Sequence, residues 1–366
     1  MEPFVYIEIS FKSENLLPSH FNTNNTFSVK RKNSISQFKH RMKKLIDNFP
    51  NQLSDAITIG KTIAPQTKLI NNVIIAGMGG SGIGGKIVSQ LLSSSSKISI
   101  QANADYTLPN YANKKTLLII SSYSGNTEET LSVLEAGLKQ GCEIACISSG
   151  GKVVEIAKDN DLLLITIPGG NPPRSMFTYS FTQQLYVLKA YGVIDGFFES
   201  ELEQSIELLY KEKENIIAIA KDFAKKLKGR IPVLYSDNWL EGVTKRWCQQ
   251  INENSKMLCW NNVFPEMNHN ELVGWESADN RTGFILFRTP FDHVRTQLRM
   301  DICMPIFNDK CDTILTLNSK GESKIEVALY TIFVGDWLSW YLSELNGVDA
   351  IEIKSIIHLK STLDKA

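Results

Sequence analysis

The chain has 366 residues, which at roughly 100–200 residues per domain indicates two or three domains. Apolar residues make up 43% of it and charged residues 21%, so it can bury full hydrophobic cores and is neither disordered nor fibrous. The 39 basic and 39 acidic residues cancel, which gives no reason to expect a nucleic-acid or acidic membrane partner.

The sequence also lacks the patterns of a membrane anchor and of a secretion signal. No apolar run reaches the ~20 residues of a membrane-spanning helix, and no secretory signal pattern opens the chain. The six cysteines do not have the spacing of a disulfide framework or a zinc cluster. We therefore expect a soluble, cytoplasmic protein without a nucleic-acid or membrane partner.

The first 41 residues differ in composition from the rest of the chain, being basic and rich in Asn and Ser. We predict residues 1–41 to be a disordered or non-native extension. A helical pattern begins just after Met42, which resembles an ordinary protein start, and our hypothesis is that translation begins there.

From residue 72 onward, short β-branched runs alternate with longer helical patterns. The predicted strands of this first series are NVIIAG, KISIQ, TLLIIS, EIACIS and LLLITI. Helical patterns such as EETLSVLEAGLKQG lie between them. Strand, polar loop and helix in repetition predict βαβ units and a parallel sheet with helices on both faces.

A second series follows a long helical region that ends at Gly229. Its predicted strands are IPVLYS, KMLCW, GFILFR and TILTL, and a long helix follows at about residues 324–345. The sequence thus predicts an α/β protein with two doubly wound domains. We place the domains at residues 42–195 and 231–366, with a helical connector over residues 196–230.

A glycine-rich segment, Gly77 to Gly85, directly follows the first strand and opens a helix. Such a turn lets backbone N–H groups close on an anion at a helix N-terminus. As G-x-G-x-x-G it fits a dinucleotide site with Asp105 as the ribose partner. A P-loop is excluded, because Ile87 stands where Ser or Thr would bind magnesium. A sugar-phosphate cradle, with Gly80 and Ser81 in the turn, also fits, as does a tight turn without a ligand.

A second polar loop favours the sugar-phosphate cradle. Ser122, Ser124 and Thr127 follow the third strand and precede a helix. Three hydroxyls in six residues suit the three oxygens of a phosphate monoester, whereas a pyrophosphate needs no second hydroxyl cluster. Each of these residues alone is also a common helix N-cap. Together they predict a ligand with a terminal phosphate.

These segments carry a family resemblance. The glycine loop followed by S-Y-S-G-N-T resembles the sugar isomerase (SIS) domain. Three later segments, N-P-P-R, I-N-E-N-S-K and P-E-M-N-H-N-E, resemble those of the bifunctional phosphoglucose/phosphomannose isomerase family. The resemblance covers roughly residues 42–366 and implies two SIS-type domains. It also implies cofactor-free interconversion of glucose 6-phosphate, and of mannose 6-phosphate, with fructose 6-phosphate through a cis-enediol.

The resemblance also implies roles for individual residues. Glu253 is the isomerisation base, His269 is the acid/base that opens the sugar ring, and Arg174 stabilises the enediolate. Lys360 is the C-terminal active-site lysine, with Lys354 as the competing choice. The residues that would bind substrate are Gly80, Ser81, Ser122, Ser124, Thr127, Arg174 and His269.

His269 is expected to act in a homodimer, because the resemblance implies that this histidine reaches the active site of the neighbouring subunit. The carboxylates of Glu266 and Glu271 flank it in sequence, and we expect one of them to orient the imidazole. A metal site built from the same three residues is the alternative. It lacks a second histidine at ligand spacing, so we expect no metal.

Two other functions fit part of the pattern. A non-catalytic SIS protein that senses sugar phosphates would need the phosphate cradle but no base. A nucleotide-dependent oxidoreductase would rest on the G-x-G-x-x-G pattern alone. Glu253, His269 and Arg174 together favour the isomerase over both.

Overall fold

The computed structural model describes residues 41–363 and Lys365. The predicted disorder of the extension therefore lies, apart from Arg41, outside the described residues, and the start at Met42 stays a prediction. A helix covers residues 41–47, in which the Met42 side chain is fully buried. Arg41 donates a hydrogen bond to the carbonyl of Gly170 at 2.7 Å. Helix α1, Phe49–Gly60, follows.

The first sheet has five parallel strands in the order β2-β1-β3-β4-β5. Its strands are β1 (Asn72–Ala76), β2 (Ser99–Asn103), β3 (Thr116–Ser121), β4 (Glu143–Ser148) and β5 (Leu163–Thr166). Its helices are α2 (Gly79–Leu91), α3 (Glu128–Lys139), α4 (Gly151–Asp159) and α5 (Phe177–Ala190). The parallel α/β architecture predicted from the alternating pattern is confirmed.

Strand β3 shows why the sheet needs helices on both faces. All six of its residues are buried. Leu117 and Ile119 pack into one hydrophobic cluster, whereas Leu118 and Ile120 pack into another. Alternate side chains of a strand point to opposite faces, so the continuous apolar run TLLIIS fits a strand covered on both sides.

The 31-residue helix α6, Phe197–Leu227, leads into a second parallel sheet with the order β7-β6-β8-β9. Its strands are β6 (Ile231–Asp237), β7 (Trp260–Phe264), β8 (Thr282–Arg288) and β9 (Ile314–Asn318). The accompanying helices are α7 (Glu241–Ser255), α8 (Glu271–Gly274), α9 (Val294–Lys310), α10 (Lys324–Asn346) and α11 (Lys354–Leu363).

One predicted strand, KMLCW, is wrong. Helix α7 runs on to Ser255, and Lys256 then takes a left-handed conformation with φ +56°. The chain reaches the sheet only at Trp260, and Leu258 is left 78% exposed. A run of apolar residues after a helix does not reveal at which residue the next strand begins.

Helix α10 is almost entirely buried. It packs against α6 and α7, and most of its residues are buried, as expected for a helix that is apolar on all sides. Its buried residues include two acidic ones, Glu326 near its first turn and Asp336 in its middle, which are 5% and 3% exposed. Within residues 41–363, no helix combines the length and the apolar character required to cross a bilayer.

Candidate active site

Two loops meet at the carboxyl ends of β1 and β3, where the strand order of the first sheet reverses. Such switch points are where open α/β sheets bind ligands. The glycine loop is residues 77–82, and the serine loop is residues 122–127. A Cβ atom added at Gly77 would lie 2.5 Å from the carbonyl oxygen of Ser121. Glycine therefore allows the two loops to approach each other.

Hydrogen bonds join the hydroxyl groups of these loops. The Ser81 Oγ accepts a hydrogen bond from the Tyr123 N–H at 3.0 Å, and the Ser122 Oγ donates to the Thr127 Oγ1 at 3.1 Å. Thr127 is the N-cap of α3, yet its side chain makes no capping bond. Capping is therefore not what holds its hydroxyl. Ser124 is exposed at the rim of the loop.

Arg174 lies directly beside the glycine loop. It belongs to a short 3₁₀ turn, Pro173–Ser175, after the last strand of the first sheet. A Cβ atom added at Gly80 would lie 2.9 Å from the main-chain nitrogen of Arg174. Only glycine therefore lets the glycine loop approach the Arg174 turn this closely. The structure thus brings Gly80, Ser81 and the serine-loop hydroxyls to one edge of the sheet together with Arg174.

The Arg174 guanidinium crosses to the second half of the molecule and is only 4% exposed. Its Nε donates to Asn254 Oδ1 at 2.7 Å and its Nη1 to Glu253 Oε2 at 3.0 Å, while Nη2 donates to the carbonyls of Ala350 and Ile351. Burial lowers the pKa of Arg174 and the Glu253 carboxylate opposes that shift, so the group stays a cation at neutral pH. Within residues 41–363 no acceptor binds the second Nη1 hydrogen, so it is left for a ligand.

Glu253 lies in the last turn of α7. Its side chain is 26% exposed. The oxygen Oε2 is held by Arg174, whereas no hydrogen bond from residues 41–363 engages Oε1. One carboxylate oxygen is therefore fixed and the other is available to accept a proton.

A buried ion pair between Arg246 and Asp336 holds the main chain of Arg174. The Arg246 Nη2 donates to both carboxylate oxygens of Asp336, at 3.0 and 2.8 Å, and to the main-chain carbonyl of Arg174 at 3.1 Å. Gln250 donates to the same carboxylate at 2.7 Å, and the guanidinium stacks on the Phe177 ring. Sequence reasoning missed this group. Its signals were an acid within the apolar helix α10 and an arginine two turns before Glu253.

His269 lies at the end of a short 3₁₀ turn that follows β7, and its side chain is exposed. No hydrogen bond joins His269 to either flanking carboxylate within residues 41–363, so its orientation by one of them stays a prediction. Glu266 accepts a hydrogen bond from Asn270 at 2.9 Å, and Glu271 accepts one from the Tyr235 hydroxyl at 2.6 Å. Among the described residues, no group of three or more His, Cys, Asp or Glu side chains could hold a metal ion.

Within one chain, His269 and Glu253 lie at opposite ends of the second sheet. Helix α7 follows β6, so it begins at the carboxyl edge of the sheet and returns toward the amino edge. Its 15 residues span about 22 Å and carry Glu253 in the last turn. His269 follows β7 and therefore lies at the carboxyl edge. The structure does not bring these two predicted site residues together.

The two candidate lysines, Lys354 and Lys360, are both exposed. Lys354 forms an ion pair with Glu352 and begins α11. Lys360 lies further along the same helix, is exposed, and contacts no acidic group in the described part of the chain. The structure does not place Lys360 against Arg174 or Glu253.

Comparison with known proteins defines the class first. The sequence matches the SIS domain over residues 70–194 and the bacterial phospho-glucose isomerase C-terminal SIS domain over residues 217–363. The fold is similar to the C-terminal domain of glucosamine-fructose-6-phosphate aminotransferase from Francisella tularensis. The TM-score is 0.68 at 12% identity, covering 85% of this chain and 98% of that one. The chain is thus an α/β protein with two SIS domains.

Curated relatives narrow the class. The bifunctional phosphoglucose/phosphomannose isomerase of Caldicellulosiruptor bescii is 36% identical over 332 residues, covering 86% of this chain and 97% of the relative. That of Aquifex aeolicus is 35% identical, covering 88% and 98%. The D-glucosamine-6-phosphate 4-epimerase of Sulfolobus acidocaldarius is 30% identical, covering 63% and 72%. The chain belongs to the bifunctional phosphoglucose/phosphomannose isomerase family.

Proposed function

We propose that this protein interconverts glucose 6-phosphate and mannose 6-phosphate with fructose 6-phosphate through a cis-enediol. The observation that carries the proposal is the contact of Arg174 with Glu253 beside the glycine loop. A fixed cation and a carboxylate with one free oxygen are what proton transfer beside a carbonyl requires. The names of the relatives support the same reaction.

The phosphate end of the substrate binds in the glycine and serine loops. The N-termini of α2 and α3 both lack a side-chain cap, so their N–H groups are available to an anion. Ser81, Ser122, Ser124 and Thr127 add hydroxyl donors. Binding energy from this remote group orients the reacting carbons.

The reacting end lies against the Glu253–Arg174 pair, on the side of Glu253 Oε1 and the free Nη1 hydrogen. Glu253 Oε1 removes the proton from C2 and returns it to C1, while the free Nη1 hydrogen of Arg174 stabilises the enediolate oxygen. Arg174 is already held on its other donors, so it needs no reorganisation as charge develops. The enediolate has lost the C2 stereocentre, which lets one site serve both aldoses. This chemistry needs no metal or cofactor.

Ring opening is assigned to His269 of a second subunit in a homodimer. The opposite placement of His269 and Glu253 within one chain supports this assignment, as does the exposure of His269. An apolar stripe lies nearby on α9, where Val294, Leu298 and Ile302 are 70%, 43% and 62% exposed at every fourth position. Such a stripe is typical of a face that a partner covers.

Mixing two inactive variants tests the shared site. Glu253→Gln and His269→Ala should each be inactive alone, but after mixing and exchange of subunits roughly a quarter of the wild-type activity should return. One site of each heterodimer then keeps both native residues. Ile302→Arg, which places a charge on the α9 stripe, should give a monomer by light scattering. An absence of recovered activity despite heterodimer formation would contradict the shared site.

The role of the C-terminal lysine is proposed for Lys360, with Lys354 as the competitor. Glu352, the partner of Lys354, also acts electrostatically on Lys256 beside Glu253, which supports Lys354. Comparing kcat of Lys354→Met and Lys360→Met decides between them, because only loss of the active-site lysine should lower the rate.

The reaction itself is tested by NMR in D₂O, with glucose 6-phosphate and mannose 6-phosphate in parallel tubes. We expect deuterium at C2 and the appearance of fructose 6-phosphate in both. A rise in melting temperature with fructose 6-phosphate, but no exchange, would instead identify a sugar-phosphate-binding protein. Glucosamine 6-phosphate in a third tube tests the activity named for the Sulfolobus relative.

The cytoplasmic location stays a prediction.

A further inference from the structure

We propose that Lys256 is a second cationic residue at the reacting end of the substrate, where its ammonium group donates a hydrogen bond to an enediolate oxygen. The inference rests on the proposed isomerase function and extends the site by one residue. Lys256 closes the segment I-N-E-N-S-K, of which only Glu253 has a role so far.

The backbone of Lys256 is strained. It ends α7 in the left-handed conformation, with φ +56° and ψ +40°. Glycine is the residue that helices ordinarily use at such a position, and Gly347 does so at the end of α10 with φ +67°. A residue with a Cβ atom costs roughly 1 kcal/mol there, and strain of this kind clusters at functional sites.

The ammonium group is positioned by the main chain. It donates to the carbonyl of Glu253 at 2.7 Å and to the carbonyl of Asp349. The next two carbonyls, of Ala350 and Ile351, accept hydrogen bonds from Arg174. Three consecutive carbonyls thus bind two cations, of which Arg174 pairs with the Glu253 carboxylate and Lys256 binds the main-chain carbonyl of the same residue. An ammonium has three donors, and groups in the described part of the chain accept from two of them, so one N–H of Lys256 is left for a ligand.

The acidic and basic groups at this end of the site lie close together. Arg174 and Lys256 carry two positive charges, and three carboxylates, those of Asp349, Glu352 and Glu253, act electrostatically on Lys256. Burial, followed by the nearby charge of Arg174, lowers the pKa of Lys256. The Lys256 residue is exposed, whereas Arg174 is almost fully buried. A sugar oxygen can therefore reach the ammonium group.

A purely structural role is the competing explanation, since lysines often bind the last carbonyls of a helix. Lys256→Gly separates the two. It removes the ammonium group but relieves the backbone strain, so stability should stay the same or rise. Asp161→Gly is the matched control, because Asp161 is also left-handed, with φ +50°, and follows α4 on the surface.

The experiment measures melting temperature, kcat and the affinity for two ligands. One ligand is arabinonate 5-phosphate, whose carboxylate carries the charge of the intermediate, and the other is glucitol 6-phosphate, which is neutral at that end. For Lys256→Gly we expect kcat to fall about ten- to a hundred-fold, the effect of one hydrogen bond to a charged group. The Kd of arabinonate 5-phosphate should rise by a similar factor, and that of glucitol 6-phosphate much less. Asp161→Gly should change neither kcat nor either Kd.

The proposed hydrogen bond from Lys256 to the enediolate would be contradicted if Lys256→Gly kept the wild-type kcat. It would also be contradicted if the variant lost affinity equally for both ligands. Absence of isomerase activity in the wild-type protein would refute the proposed function instead. The ligand comparison would still decide on Lys256, because it needs no turnover.

Discussion

Glu253→Gln should lower kcat by at least about 10²–10⁴-fold while fructose 6-phosphate still binds. The amide keeps the size of the side chain and an oxygen that can accept the hydrogen bond from Arg174 Nη1. It cannot accept the proton that leaves C2. The loss should therefore fall on kcat rather than on affinity, as expected when a group acts mainly in the transition state.

Glu241→Gln is the matched control for this substitution. Glu241 begins the same helix and pairs with Lys86 at 2.8 Å, far from Arg174 along α7. We expect wild-type kcat in this variant. Rates from initial velocities, with fructose 6-phosphate affinity from calorimetry, complete the comparison. Near-normal turnover in Glu253→Gln would place the base elsewhere.

Asp336→Ala should lower the free energy of unfolding by about 3–5 kcal/mol. The Asp336 carboxylate is 3% exposed and compensates the buried guanidinium of Arg246. Its removal leaves that cation unpaired in the core and takes an acceptor from Gln250. Arg246 also binds the Arg174 carbonyl, so activity should fall as well.

Urea denaturation measures the loss, with two comparisons. Asp222→Ala removes a partner from the exposed pair with Lys226, in which both side chains are 52% exposed, and should cost at most about 0.5 kcal/mol. Combining Asp336→Leu with Arg246→Met should recover much of the stability, because neither member of the pair is then left as a buried unpaired charge. It should not restore activity, since the Arg174 carbonyl still lacks its donor. A loss below about 1 kcal/mol in Asp336→Ala would mean that the cation finds other compensation.

The sequence predicted the fold well where local pattern decides structure. Runs such as TLLIIS are too apolar and too short for anything but a strand buried on both faces, and the glycine and serine loops follow from turn chemistry. KMLCW failed because a single left-handed residue, Lys256, shifts the strand to Trp260. Only tertiary structure fixes such a turn.

The candidate site was less predictable from the letters. The roles of Glu253 and Arg174 came from the family resemblance, and their contact joins residues 79 positions apart. Arg246 and Asp336 meet across 90 positions, which no local pattern encodes. Glu271 stands two residues from His269, yet it accepts a hydrogen bond from Tyr235, 36 positions away. Proximity in sequence does not show which donor a carboxylate meets after folding.

The hydrogen bonds that hold the Arg174 guanidinium also determine when the site is completed during biosynthesis. The Ala350 carbonyl that accepts from its guanidinium leaves the ribosome 176 residues after the arginine itself. Until then a nascent first domain presents this cation without its final partners. The two SIS domains are therefore not interchangeable modules. The first domain expressed alone would contain the phosphate cradle and Arg174 but not Glu253, and a stop codon before residue 350 would remove the Arg174 acceptors at Ala350 and Ile351 from a chain whose first sheet is complete.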